Sequence, residues 1–198
     1  VTLNASQFEA FETLVADTSG KRELECGPYL EHAGNLLIQR SICSAVTHYE
    51  VRSHAGDADL ILVAEVQNDI GKKEKVAFHW ELKAPQCYLF EYDDNKNRCR
   101  PTKDLIKAEN QLLHYVEESF ANDLTRTMLG VQNRSDIRPG GIIIGTKDTM
   151  LRSPKCARDV YKAELALRLR SERLYQAQGI RVLLWDRVLD ALRPSMVF

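Results

Sequence analysis

Two apolar runs joined by a short charged segment constrain this chain more than any other feature. Residues 58–66 read ADLILVAEV and residues 76–84 read VAFHWELKA, with QNDIGKKEK between them. Bounded apolar runs of this kind are buried strands, and Gly71 within a charge cluster makes a turn. The pattern predicts an antiparallel hairpin, with Pro85 stopping its second strand soon after Lys83. A hairpin folds back on itself, so the start of one strand meets the end of the next. Asp59 and Glu81 therefore converge although they lie 22 positions apart. Strand residues at i and i+2 share a face, so Glu81 and Lys83 leave the sheet together.

The remaining periodicity builds a domain around that hairpin. Residues 5–17 place Phe8, Phe11, Leu14 and Val15 on one helical face. Residues 22–39 read as an interrupted helical segment, with Pro28 opening a turn and Gly34 ending one. A first strand is expected within 44–53, and a polar loop at 92–103. A strong helix covers 103–120, with Leu105, Ala108, Leu112, Tyr115 and Val116 on one side. A buried strand follows in GIIIGT (141–146), then an arginine-rich helix at 157–178, a last strand at 180–186 and a short closing helix at 187–192. This order predicts an α/β (α+β) fold, a mixed sheet flanked by helices. It forms one domain over 1–198, with residues 1–40 as its helical N-terminal part.

Composition narrows the function. With 198 residues, 44% hydrophobic and 28% charged, the chain suits one globular domain with a real core. No run approaches the roughly 20 apolar residues that span a bilayer, and no secretory signal opens the chain. The sequon Asn4-Ala5-Ser6 is therefore read as chance. The first residue is Val1, which suggests a piece excised from something longer. Five scattered cysteines without a CxxC pair offer neither a disulfide framework nor a zinc cluster, and a reducing cytoplasmic setting is expected. The net charge of −1 argues against a uniformly basic nucleic-acid binder. Yet residues 1–95 carry 8 Lys and Arg against 16 Asp and Glu, whereas residues 96–198 carry 19 against 12. An acidic half beside a basic half suits a metal site facing a polyanion, although two solvated surfaces would look the same.

Two carboxylates meeting at one place repel unless a cation sits between them. Oxygen ligands with room for water suit magnesium, and a neighbouring lysine can orient water and stabilise charge on a phosphate. An ExK tripeptide alone is more often a surface ion pair. Here Phe78 and Trp80 before it and Ala84-Pro85 after it argue against a fully solvated strand. Asp57 competes with Asp59, which is preferred because it adjoins the apolar run. On the 103–120 helix, Gln111 and Tyr115 stand at i and i+4 and share one face. An amide and a phenol there could orient a ligand and donate to phosphate. Taken singly, each has an ordinary structural reading, as do His79 and His114. A glycoside-cleaving carboxylate pair is disfavoured by the adjacent lysine and by 8% aromatics, and no nucleophile elbow supports a serine or cysteine hydrolase.

In sequence order, Ala58-Asp59, Glu81-Leu82-Lys83 and Gln111 to Tyr115 resemble the PD-(D/E)xK nuclease superfamily, in the branch that adds a QxxxY helix. More narrowly, ELECGPYLEHAGNLL, ELKAP, GGIIIGT and IRVLLWDRVLDAL resemble the nuclease domain of Shedu-type bacterial anti-phage defence proteins. The resemblance implies a magnesium-dependent DNA endonuclease, manganese substituting, with Asp59 and Glu81 as metal ligands and Lys83 as the catalytic lysine. It implies Gln111 in an orienting role, Tyr115 in support and an upstream helical glutamate, for which Glu23 is chosen over Glu25. It further implies phage or other foreign DNA as partner, homo-oligomers, no membrane, and a variable N-terminal sensor region. Ala58 departs from the nominal proline, and Thr146-Lys147 stand where the family tends to have an arginine. Arg98, Arg100, Lys103, Arg168, Arg170 and Arg173 are candidate phosphate contacts. The alternative function is a catalytically silent nuclease-fold module for nucleic-acid binding or assembly.

Overall fold

The computed structural model describes residues 3–44, 46–53 and 56–194, the side chains of 47–53 and 56–58 excepted. Helix α1 (Ala5–Ala16) starts in a capping box. Asn4 accepts from the Gln7 amide at 2.9 Å, and the Gln7 side chain takes the Asn4 N–H at 3.1 Å. The interrupted segment resolves into α2 (Glu23–Cys26), a 3₁₀ stretch (Gly27–His32) and α3 (Gly34–Leu37). Strands β1 (Thr47–Ser53), β2 (Gly56–Gln67) and β3 (Lys73–Leu82) form an antiparallel meander. After β4 (Phe90–Asp93) and β5 (Arg98–Pro101) come α4 (Lys103–Ala121) and α5 (Asp123–Leu129). Then follow β6 (Ile137–Ile143), β7 (Leu151–Arg152), α6 (Ala157–Arg170), β8 (Arg181–Leu183) and α7 (Trp185–Leu192).

The main sheet runs β1-β2-β3-β6-β8, antiparallel through β3 and parallel from β3 to β8. This is the expected mixed sheet, with helices on both faces. Alternation along β3 divides the core into two layers. Val76, Phe78, Trp80 and Leu82 pack with α1, the 3₁₀ stretch and α7. Ala77 points the other way, beneath Leu105, Ala108, Leu112 and Tyr115 of α4, with Ala163 of α6 in the same layer. His79, Glu81 and Lys83 share the Ala77 face by the same period of two. Close approach explains two glycines: a Cβ on Gly140 would overlap the Trp80 indole, and one on Gly141 the Arg181 carbonyl.

Three expectations are corrected. The polar 92–103 segment contains β5 and half of β4, which join β7 in a second, three-stranded sheet. Strand β4 pairs with residues 151–152, about sixty positions further on, and no local pattern announces that pairing. Gly34 opens α3 instead of closing a turn. The 157–178 helix is regular only to Arg170. Its next turn widens into a π-helical stretch (Ser171–Tyr175), where the buried Tyr175 hydroxyl donates to Glu109 Oε1 of α4.

Candidate active site

The hairpin register delivers the convergence. Leu60 pairs with Trp80 and Ile61 with His79, so one further step sets Asp59 across from Glu81. The Asp59 Oδ2 accepts the Leu82 N–H at 2.8 Å, which closes the open end of the ladder with a side chain. Lys83 Nζ donates to Glu81 Oε1 at 2.5 Å and to the Leu82 carbonyl at 2.9 Å. Glu81 is 0% exposed and Lys83 8%, so this is an interior ion pair and not the solvated one its tripeptide usually makes. The other Glu81 oxygen, Oε2, is buried without a hydrogen-bond partner among the described residues.

Helix α4 lies over this group. Gln111 Nε2 reaches the Tyr115 hydroxyl at 3.4 Å, and Tyr115 is close enough for the charges of Glu81, Asp59 and Lys83 to act on its phenol. One turn further, Ser119 Oγ lies 2.9 Å from His79 Nε2. His79 is therefore a structural tie between β3 and α4. Glu23, the first residue of α2, joins the group. Its carboxylate meets the Ala84 backbone N–H and feels both Lys83 and Asp59. Glu25 instead pairs with Arg22 at 3.1 Å. The side chain of Asp57, the rival carboxylate, lies outside the described residues.

Negative charge is in excess here. Burial, then the neighbouring Asp59, push the Glu81 carboxyl up to about 8, and Lys83 offsets only part of this. Burial acts to discharge the Lys83 ammonium, but Glu81, Glu23 and Asp59 together outweigh it and raise its pKa. Glu23 is also raised, chiefly by burial. One ammonium thus stands against three carboxyls.

The donor set fits a hard divalent cation of the magnesium type. Such an ion takes one or two carboxylates and keeps several waters. Asp59 and Glu81 would supply the carboxylates: no donor among the described residues reaches the Glu81 Oε2, and the Asp59 carboxyl lies within hydrogen-bond reach of the Glu81 carboxyl. Among the described residues no group of three or more His, Cys, Asp or Glu side chains is placed to hold a metal ion. Glu23 accordingly belongs to the charged surround and not to a third ligand position.

Residues without an assigned role in the sequence reading hold the site in place. The Gln86 amide bridges α1 to the active edge. Its Nε2 donates to the Asp17 carbonyl at 2.5 Å and the Leu14 carbonyl at 3.3 Å, while Oε1 accepts the Arg22 N–H at 3.1 Å. Glu23 is the next residue, so Gln86 sets where α2 begins. The Trp185 indole donates to the Lys83 carbonyl at 2.8 Å, and the Lys83 N–H is held by the Ile143 carbonyl at 2.8 Å. A polar Gln86 directly after Pro85 at the end of an apolar run was the available signal. Nothing local linked Trp185 to Lys83.

The basic candidates divide. Arg100 pairs with Glu91 at 3.0 Å and Arg168 with Glu172 at 3.5 Å. Arg170 ties Glu109 at 2.5 Å and Tyr175 at 2.9 Å in a half-buried cluster joining α6 to α4, so its role is structural. Lys103 is exposed at the start of α4 and makes no ion pair among the described residues. No protein-family model matches the chain, and no curated protein is significantly similar to it. No helix among the described residues is long and apolar enough to cross a membrane.

Proposed function

We propose that this protein is a metal-dependent endonuclease of the PD-(D/E)xK type. It hydrolyses phosphodiesters of phage or other foreign DNA in the bacterial cytoplasm, as a homo-oligomer of the Shedu kind. One observation carries the reading: Asp59, Glu81 and Lys83 meet on one face at the end of a hairpin, with the Gln111–Tyr115 pair above them. Magnesium, or manganese in its place, would be held by Asp59 and Glu81 and would activate water and draw charge from the scissile phosphate. Lys83 holds a positive charge beside that phosphate and stabilises the charge that builds in the transition state. Tyr115 donates its hydroxyl to a phosphate oxygen, and Gln111 orients Tyr115. Glu81 above all, with Glu23 and Asp59, keeps the Lys83 ammonium protonated.

Nicking of supercoiled plasmid, followed in magnesium and in EDTA, tests the proposal. Wild type cuts only with magnesium, and Lys83→Ala abolishes cutting while its circular dichroism stays native. Full activity in Lys83→Ala removes Lys83 from the mechanism. A second reading, a silent module that binds nucleic acid or assembles without cutting, is favoured by the buried Lys83–Glu81 pair, in which the lysine is already held by the carboxylate. DNA binding without cleavage in either cation would establish it.

A further inference from the structure

Helix α4 carries an open groove of roughly 430 Å³ lined by Lys103, Ile106, Lys107, Asn110, Gln111 and His114. Lys103 and Lys107 are exposed, stand one helical turn apart, and have no carboxylate within 4 Å among the described residues. The acidic neighbours are engaged: Asp104 lies 3.8 Å from Lys21, and Glu118 lies 3.9 Å from the His114 ring. Glu109 is taken up by Arg170 and Tyr175. Further along the groove are two amides, the exposed aliphatic side chain of Ile106 and the imidazole of His114. Gln111 belongs to both places. It lines the groove and donates to Tyr115, and its own Oε1 is buried without a partner.

We propose that this groove binds one single polynucleotide strand and leads it to the carboxylate centre, an inference that rests on the nuclease reading and names its substrate. Lys103 and Lys107 take successive phosphates of that strand, being spaced about 6 Å along the helix axis. His114 and Ile106 receive a base, and the Asn110 and Gln111 amides bond its edge or the sugar. A single helix with amines at one end and a ring at the other matches an unpaired strand, whose bases are free to stack. A duplex hides those bases and presents two backbones to the protein.

Fluorescence anisotropy of the full chain in EDTA, with labelled dT20 and a 20-base-pair duplex, tests this separately from catalysis. Wild type binds dT20 more tightly than the duplex. Lys103→Glu with Lys107→Glu weakens dT20 binding by about tenfold or more, and the salt dependence becomes shallower by about 1.4 in log–log slope. His114→Ala weakens it by about fivefold with the slope unchanged, as loss of stacking requires. Native melting temperatures exclude unfolding, since all three positions are exposed. The proposal falls if the lysine double variant binds dT20 like wild type, or if the duplex binds more tightly than dT20. Plasmid cleavage that persists beside such a result leaves the nuclease reading intact. Groove binding with no cleavage of either plasmid or dT20 in magnesium removes the nuclease reading and keeps the strand site.

Discussion

The indole nitrogen of Trp185 donates to the backbone carbonyl of Lys83, 2.8 Å away and 102 residues earlier in the chain. With the Ile143 carbonyl holding the Lys83 N–H, both backbone polar groups of that residue are pinned where β3 has already ended. Helix α7 therefore holds the backbone of Lys83 just past the end of β3. Trp185→Phe leaves the carbonyl unsatisfied in a buried place and should cost about 1–3 kcal/mol in urea unfolding. Nicking should drop by an order of magnitude at a temperature where the variant stays folded. An unchanged nicking rate would show that the backbone of Lys83 needs no such anchor.

Gln86 governs the approach of Glu23. Its one amide serves the end of α1 and the start of α2, so Gln86→Ala frees the 17–22 connection. Trypsin should then cut after Lys21 or Arg22 under conditions that spare wild type, and stability should fall by about 1–2 kcal/mol. Equal protease resistance would assign the bridge no weight.

His79 makes stability depend on pH. It is 1% exposed, and burial lowers its pKa to about 4, so the fold holds it neutral while the unfolded chain protonates near 6.5. Its contribution is complete above that value and is lost as pH falls towards 4. By pH 5 the loss is about 2 kcal/mol. Glu81 acts in the opposite sense: raised to about 8, its contribution is complete below its unfolded value and is lost as pH rises through 8. Comparing wild type with His79→Gln at each pH isolates the histidine. The gap between them should narrow by about 2 kcal/mol from pH 7.5 to pH 5. A gap that does not change with pH would mean that His79 titrates normally.

The proposed cation site has a thermal test. Ligand at a hundredfold its dissociation constant adds about 2.7 kcal/mol to the folded state, which for a domain of this size raises the melting temperature by about 5–10 °C. Manganese should produce such a shift in wild type and none in Asp59→Asn or Glu81→Gln. An equal shift in all three proteins would move the cation elsewhere.

Much of the fold was readable because local pattern and tertiary position agree. The two apolar runs, the turn between them and the period of two in β3 are short-range properties, and they sufficed to bring Asp59 opposite Glu81 and Lys83. The i and i+4 spacing likewise aligned Gln111 with Tyr115. Glu23 was preferred over Glu25 on resemblance, and the packing of α2 brings Glu23 towards Lys83 while Glu25 turns to Arg22. Arg170 takes the ion-paired role that is the commoner one for a helical arginine, but its partner Glu109 lies 61 positions away and could not be read from the helical repeat. The second sheet was missed because its strands are short and polar and are paired by distant chain.

The sequence by itself determined the strand alternation, the hairpin and the identity of the charged groups on its inner face, since backbone period and side-chain chemistry are carried by neighbouring residues. Only the tertiary structure decided that Glu81 is wholly buried with one oxygen unpartnered, that Gln86 and Trp185 hold the active edge, and that Lys103 and Lys107 share a groove with Gln111. Burial and long-range hydrogen bonds depend on which distant segments cover a residue, and that becomes defined only when the layers have packed.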